Sequence, residues 1–89
     1  MTFFDKITEL GYVVMKRTKT EILIKKTEDI ANTYIYFNME EQTLTGSVLP
    51  KEYMTNLSDV ADNYKVFLQM KQDLITLKQL SGYAILNLL

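Results

Sequence analysis

Apolar residues recur along this chain with two different periods, and the changes of period mark its elements. At the start, Phe3 or Phe4, Ile7 and Leu10 fall at helical spacing. Thr2 stands where it can cap that turn, with Asp5 three residues on in the reach-back position. Gly11 is the stop, since glycine takes the left-handed conformation at little cost. A short helix is expected over about residues 2–10. The segment GYVVMKRTKTEILIKK then switches to β-branched and apolar residues. Facing Arg17 with Glu21 across the loop Thr18-Lys19-Thr20 sets Met15 against Leu23, Val14 against Ile24 and Val13 against Lys25. TEDIANT, residues 27–33, reads as a connector.

The stretch TYIYFNMEEQTLTGSV, residues 33–48, sorts most cleanly. With Glu41-Gln42 at the turn, Met39 opposes Leu44, Phe37 opposes Gly46 and Ile35 opposes Val48, all on one face. Tyr34, Tyr36, Asn38, Thr45 and Ser47 lie on the other. A slip of one residue would scramble that sorting, so the pattern constrains the register. Pro50 ends the sheet because it cannot donate to a ladder. A long helix is expected from about Ser58, its N-cap, to Leu80. Its stripe is Val60, Tyr64, Phe67, Met70, Leu74 and Leu77, with Asp62, Gln69, Gln72, Asp73, Thr76 and Gln79 mostly opposite. Ser81-Gly82 reads as the stop, and the tail YAILNLL carries no charge. The expectation is one α+β domain over residues 1–89: a short N-terminal helix, a four-stranded antiparallel sheet from two hairpins, and a long C-terminal helix with an apolar tail. A helix of that length overhangs six-residue strands by about two turns.

Composition removes most chemistry. The 89 residues include no Cys, no His and no Trp. That excludes disulfides, zinc held by Cys or His, Cys–His and Ser–His–Asp nucleophiles, and an imidazole base. No glycine-rich phosphate loop or EF-hand spacing is present. Catalytic residues, metal ligands and cofactors are therefore assigned to none, and the protein is read as non-enzymatic. No apolar run approaches the roughly 18–20 residues of a membrane span, and MTFFDKITEL lacks the order of a signal peptide. A soluble, cytoplasmic protein is expected.

Charge is unevenly placed within a net of −1. Lys16, Arg17, Lys19, Lys25 and Lys26 against Glu21 make the first hairpin +4, whereas residues 27–62 carry −6. The basic hairpin is the one nucleic-acid candidate, as a β-ribbon touching phosphates; lysines on an edge strand also simply discourage sheet-to-sheet pairing. The acidic pairs Glu28-Asp29 and Glu40-Glu41 read as solvated turn residues. The Tyr34, Tyr36, Asn38, Thr45 and Ser47 face is the protein-binding candidate, because tyrosine offers rigid contact area with a polar tip. Its alternative is cover by the long helix. A third surface, for a homodimer, is drawn from Phe67, Leu74, Leu77, Tyr83 and Leu86.

FFDKITELGYVVMKRTKTEILIKK followed by YIYFNMEEQTLTG resembles small uncharacterised accessory proteins of phages and prophages in low-GC Gram-positive bacteria. The resemblance lies in the order of a short helix ending in L-G-Y, a lysine-laden hairpin, a strand with an acidic turn, and a helix, over residues 3–75. It implies a protein that works by binding, as a regulator or inhibitor of a host protein, and carries over no functional residues.

Overall fold

The computed structural model describes residues 2–52 and 56–86. Seven elements follow in order: α1 (Phe3–Glu9), β1 (Val13–Arg17), β2 (Glu21–Thr27), β3 (Ala31–Asn38), β4 (Thr43–Pro50), α2 (Leu57–Ser81) and β5 (Ala84–Leu86). The protein is α+β, with two helices and a five-stranded mixed sheet ordered β1-β2-β3-β4-β5. The first four strands form an antiparallel meander. Ala84–Leu86 of the apolar tail add the fifth strand, parallel to β4, with Leu44 beside Ile85, and residues 87–89 of that tail lie outside the described residues. The two expected hairpins become three, because the connector shortens to residues 28–30. A backbone bond from Glu28 N–H to the Ala31 carbonyl (2.9 Å) closes that turn.

Local chemistry explains the boundaries. Thr2 and Asp5 make the reciprocal capping box on α1. The second helix is capped two residues earlier than the expected Ser58. Asn56 is its cap, with Oδ1 accepting from Asp59 N–H at 2.9 Å, and Gly82 ends it in the left-handed conformation (φ 74°). Replacing this cap, Asn56→Ala, is expected to cost about 1 kcal/mol, measured as a lowered urea midpoint at unchanged slope.

Both expected registers shift, each for a visible reason. Val13↔Lys25 and Val14↔Ile24 pair as expected, but a bulge between Val14 and Lys16 then brings Lys16 opposite Leu23 and Arg17 opposite Ile22. Arg17 therefore does not pair with Glu21. Lys16 does, and the Arg17 guanidinium lies over the Phe4 ring at 4.2 Å. In the next hairpin Phe37 pairs with Leu44 and Ile35 with Gly46, two residues from the expected match. The turn is longer because Asn38 Oδ1 accepts from Glu40 and Glu41 N–H, both at 3.1 Å, and Gln42 takes a positive φ. A slip of two leaves every side chain on its face, so the sorting of the two faces survives.

The core lies between the Ile/Phe face of the sheet and both helices. Ile7, Ile22, Ile24, Ile35, Phe37, Leu44, Met70, Leu74 and Leu77 fill it. The long helix seats only its C-terminal half there. Val60 and Tyr64, expected in the buried stripe, are exposed instead, and Val66 and Asp73 take their places. At 25 residues the helix spans about 37 Å, against roughly 26 Å for an eight-residue strand, so its first turns project beyond the sheet.

Candidate functional site

Because α1 and α2 both pack on the Ile/Phe side, the opposite face of the sheet carries no described helix. The pairing of strands lays this face out in rows. Tyr36 stands between Leu23 and Thr45, with Leu86 beyond Thr45. Tyr34 stands between Lys25 and Ser47, and Asn38 between Glu21 and Thr43. The five residues Tyr34, Tyr36, Asn38, Thr45 and Ser47 thus share one continuous surface, and the two rings occupy its middle strand.

The rings are held in place. The Tyr36 hydroxyl donates to Glu21 Oε2 at 2.8 Å, and the same carboxylate is ion-paired to Lys16. Hydrogen bonds from Lys16 first, then from Tyr36, hold the Glu21 carboxyl below its ordinary pKa. The Glu21 contact raises both Lys16 and the Tyr36 phenol above theirs. The Lys25 ammonium lies 5.7 Å from the centre of the Tyr34 ring. An aromatic pair fixed by neighbours loses little side-chain freedom when something docks on it.

The basic hairpin does not act as one surface. Lys16 and Lys25 project from the tyrosine face, and Arg17 and Lys26 from the other, with Lys19 in the turn. Lys26 is committed to the interior: its Nζ donates to Asp73 Oδ2 at 2.9 Å and sits 4.8 Å above the Tyr12 ring. The expected homodimer surface also disperses. Leu74 and Leu77 are fully buried against the sheet, and Phe67 and Tyr83 pack partly on the core. Only Leu86 of that set is exposed. Leucines already sealed in their own core have no area left to offer a second chain.

A buried polar cluster escapes a reading of the sequence. Asp73, only 1% exposed, accepts from the Tyr12 hydroxyl at 2.8 Å, from Lys26 and from Gln69 Nε2 at 3.0 Å. Burial first, then the Asp73 bond, pushes the Tyr12 phenol far above its ordinary pKa. The signal was present in the spacing: 66, 70, 73 and 77 continue one helical stripe, and Asp73 is its single polar member. Every donor of this cluster is turned on one carboxylate, which ties α2 to β2 and to the entry of β1.

A cleft of about 330 Å³ opens near the first helix, lined by Phe3, Phe4, Arg17, Ile22, Phe37 and Tyr83 among others. It is large enough for a small apolar group, and Arg17 forms part of its wall. Among the described residues no cluster of three or more acidic side chains is placed to hold a metal. No described helix is long and apolar enough to cross a membrane. Comparison with family models, with curated proteins and with solved structures finds no match for this chain.

Proposed function

We propose that this chain is a non-enzymatic protein-binding module, a regulator or inhibitor of the kind found among small phage and prophage accessory proteins, and that it docks its partner on the open sheet face. One observation carries the reading: among the described residues both helices lie on one side of the five-stranded sheet, and the other side centres on two half-buried tyrosines held by Glu21 and Lys25. Aromatic anchors ringed by hydroxyl and amide side chains are the composition that protein interfaces favour. Lys16 and Lys25 on the β1–β2 flank suit a partner with carboxylates at the matching edge. The order of the elements, which resembles that of the phage accessory proteins, supports the same reading. A nucleic-acid role through Lys16, Arg17, Lys19, Lys25 and Lys26 lacks comparable support, since those cations divide between two faces.

The test is a nuclease-treated pull-down from a low-GC Gram-positive lysate, comparing the natural chain with Tyr34→Ala/Tyr36→Ala. Each ring is expected to contribute about 2 kcal/mol. The double variant should therefore lose a stoichiometric host protein by roughly a thousandfold in affinity, with circular dichroism unchanged. Equal capture by the variant, or no stoichiometric protein at all, counts against the proposal.

A further inference from the structure

The cleft beside the first helix opens where α1, the β1–β2 turn and the end of α2 meet. Buried Ile22 and Phe37 line it together with the half-buried rings of Phe3, Phe4 and Tyr83. Its volume of about 330 Å³ lies at the lower end of the roughly 300–1,000 Å³ of small-molecule sites. The rings are set before anything enters. Phe3 meets Phe4 edge to face, with centroids 5.6 Å apart and planes at 80°, and meets Phe37 in the same way at 5.3 Å and 83°. Met39, also in the lining, donates its backbone N–H to the Thr20 carbonyl at 2.8 Å and so fixes the β1–β2 turn beside the cleft. Thr18 Oγ1 accepts from Glu21 N–H at 3.1 Å and closes that turn.

Charge selects the occupant. Arg17 and Lys19 stand in the lining, and no described carboxylate does. Lys16 and Lys26 are ion-paired within the chain, whereas neither Arg17 nor Lys19 has an ion pair among the described residues. The Arg17 guanidinium lies over the Phe4 ring, 4.2 Å from its centroid. A guanidinium stacked in this way keeps its in-plane N–H donors for a carboxylate, which it takes through two parallel bonds. We infer that the cleft binds a small amphipathic carboxylic acid. Its carboxylate meets the Arg17 fork with Lys19 beside it, and its apolar body lies against Phe4, Phe37 and Tyr83. A neutral apolar guest would leave both cations without a counter-charge, and an amphipathic amine would set like charges together. The volume restricts the body to a short chain or a single ring. The cleft lies on the helix side of the sheet, away from Tyr34 and Tyr36, and stands or falls separately from their role.

Hexanoate is the probe, titrated into the full chain and followed by NMR shifts, with hexan-1-ol and hexylamine as controls of the same body. A ligand of this size in a preformed site is expected to bind with a dissociation constant of about 0.3–3 mM. Hexan-1-ol should bind about tenfold more weakly, and hexylamine more weakly still. Arg17→Gln should weaken hexanoate about tenfold and leave hexan-1-ol unchanged. Arg17→Lys, which keeps the charge and loses the fork, should fall between. Nuclear Overhauser contacts should join the hexanoate chain to the Phe4 and Tyr83 rings. Equal affinity for hexanoate and hexan-1-ol, read on the natural chain alone, would overturn the carboxylate assignment, as would a folded Arg17→Gln chain that binds hexanoate undiminished. Contacts at Tyr34 and Tyr36 instead, or no saturable binding up to about 30 mM hexanoate, would overturn the site itself.

Discussion

Asp73→Ala is expected to destabilise the protein by about 3–5 kcal/mol, the cost of removing one partner from a buried ion pair. Three donors lose their acceptor at once: the Tyr12 hydroxyl, Lys26 Nζ and Gln69 Nε2. They will not suffer equally. Gln69 is exposed and turns to water. Lys26 has a side chain 14% exposed and an alternative carboxylate in Glu28, 3.9 Å away, so part of its loss is recovered. Tyr12 is enclosed, with nowhere for its hydroxyl to turn. That difference places the effect toward the lower end of the range. Even so, it removes a large fraction of the roughly 5–10 kcal/mol that holds a small domain together. Urea denaturation checks it. The companion variant Asp73→Leu/Lys26→Met/Tyr12→Phe tests the cause: with the carboxylate, the ammonium and the enclosed hydroxyl all replaced by apolar groups, most of the loss should be restored. If Asp73→Ala is as stable as the natural chain, the cluster does not hold α2 to the sheet.

Gly46→Ala should be the next most costly change among those considered. Gly46 lies on the core face opposite Ile35, and the long helix crosses directly over it. An added Cβ would overlap Met70 Sδ and come within 2.9 Å of Leu74 Cδ1. Both side chains are fully buried, so neither can swing into water. Overpacking of this kind costs about 1–3 kcal/mol. Loss of glycine's freedom in the unfolded chain offsets about 0.4–1 kcal/mol of it, leaving a net loss near 1–2 kcal/mol. Met70 is the flexible partner, so the double change Gly46→Ala/Met70→Ala should cost less than the sum of the single ones. A double-mutant cycle showing plain additivity would mean that the helix does not rest on this glycine.

The two sites differ in how visible they were beforehand. In the register expected from the sequence Phe37 stands opposite Gly46, which makes its ring the expected neighbour of the glycine. The two-residue shift of the β3–β4 turn moved Gly46 opposite Ile35, and the space went to Met70 and Leu74. Asp73 was assigned to the polar side of the helix because a stripe drawn from Val60 and Tyr64 turns away from it. The stripe that packs runs through Val66 and Met70, and Asp73 belongs to it. Two apolar stripes on one helix are indistinguishable by periodicity alone; only the sheet selects between them.

By itself the order of apolar and polar residues determined the elements that depend on local chemistry. The capped first helix, the alternation of Ile35 and Phe37 with Tyr34 and Tyr36, and the glycine that ends the long helix all follow from caps, pleat period and backbone freedom. So does the gathering of Tyr34, Tyr36, Asn38, Thr45 and Ser47 on one face, which an even register shift cannot undo. Tertiary structure decided what rests on long-range packing. It chose the Ile/Phe face for both helices and so left the tyrosine face, among the described residues, without a helix over it. It turned the neutral tail into a parallel fifth strand, gathered Tyr12, Lys26 and Gln69 around one carboxylate, and carried the first turns of the long helix past the sheet. Each of these compares the burial of one surface with that of another, and such a comparison exists only when distant segments meet.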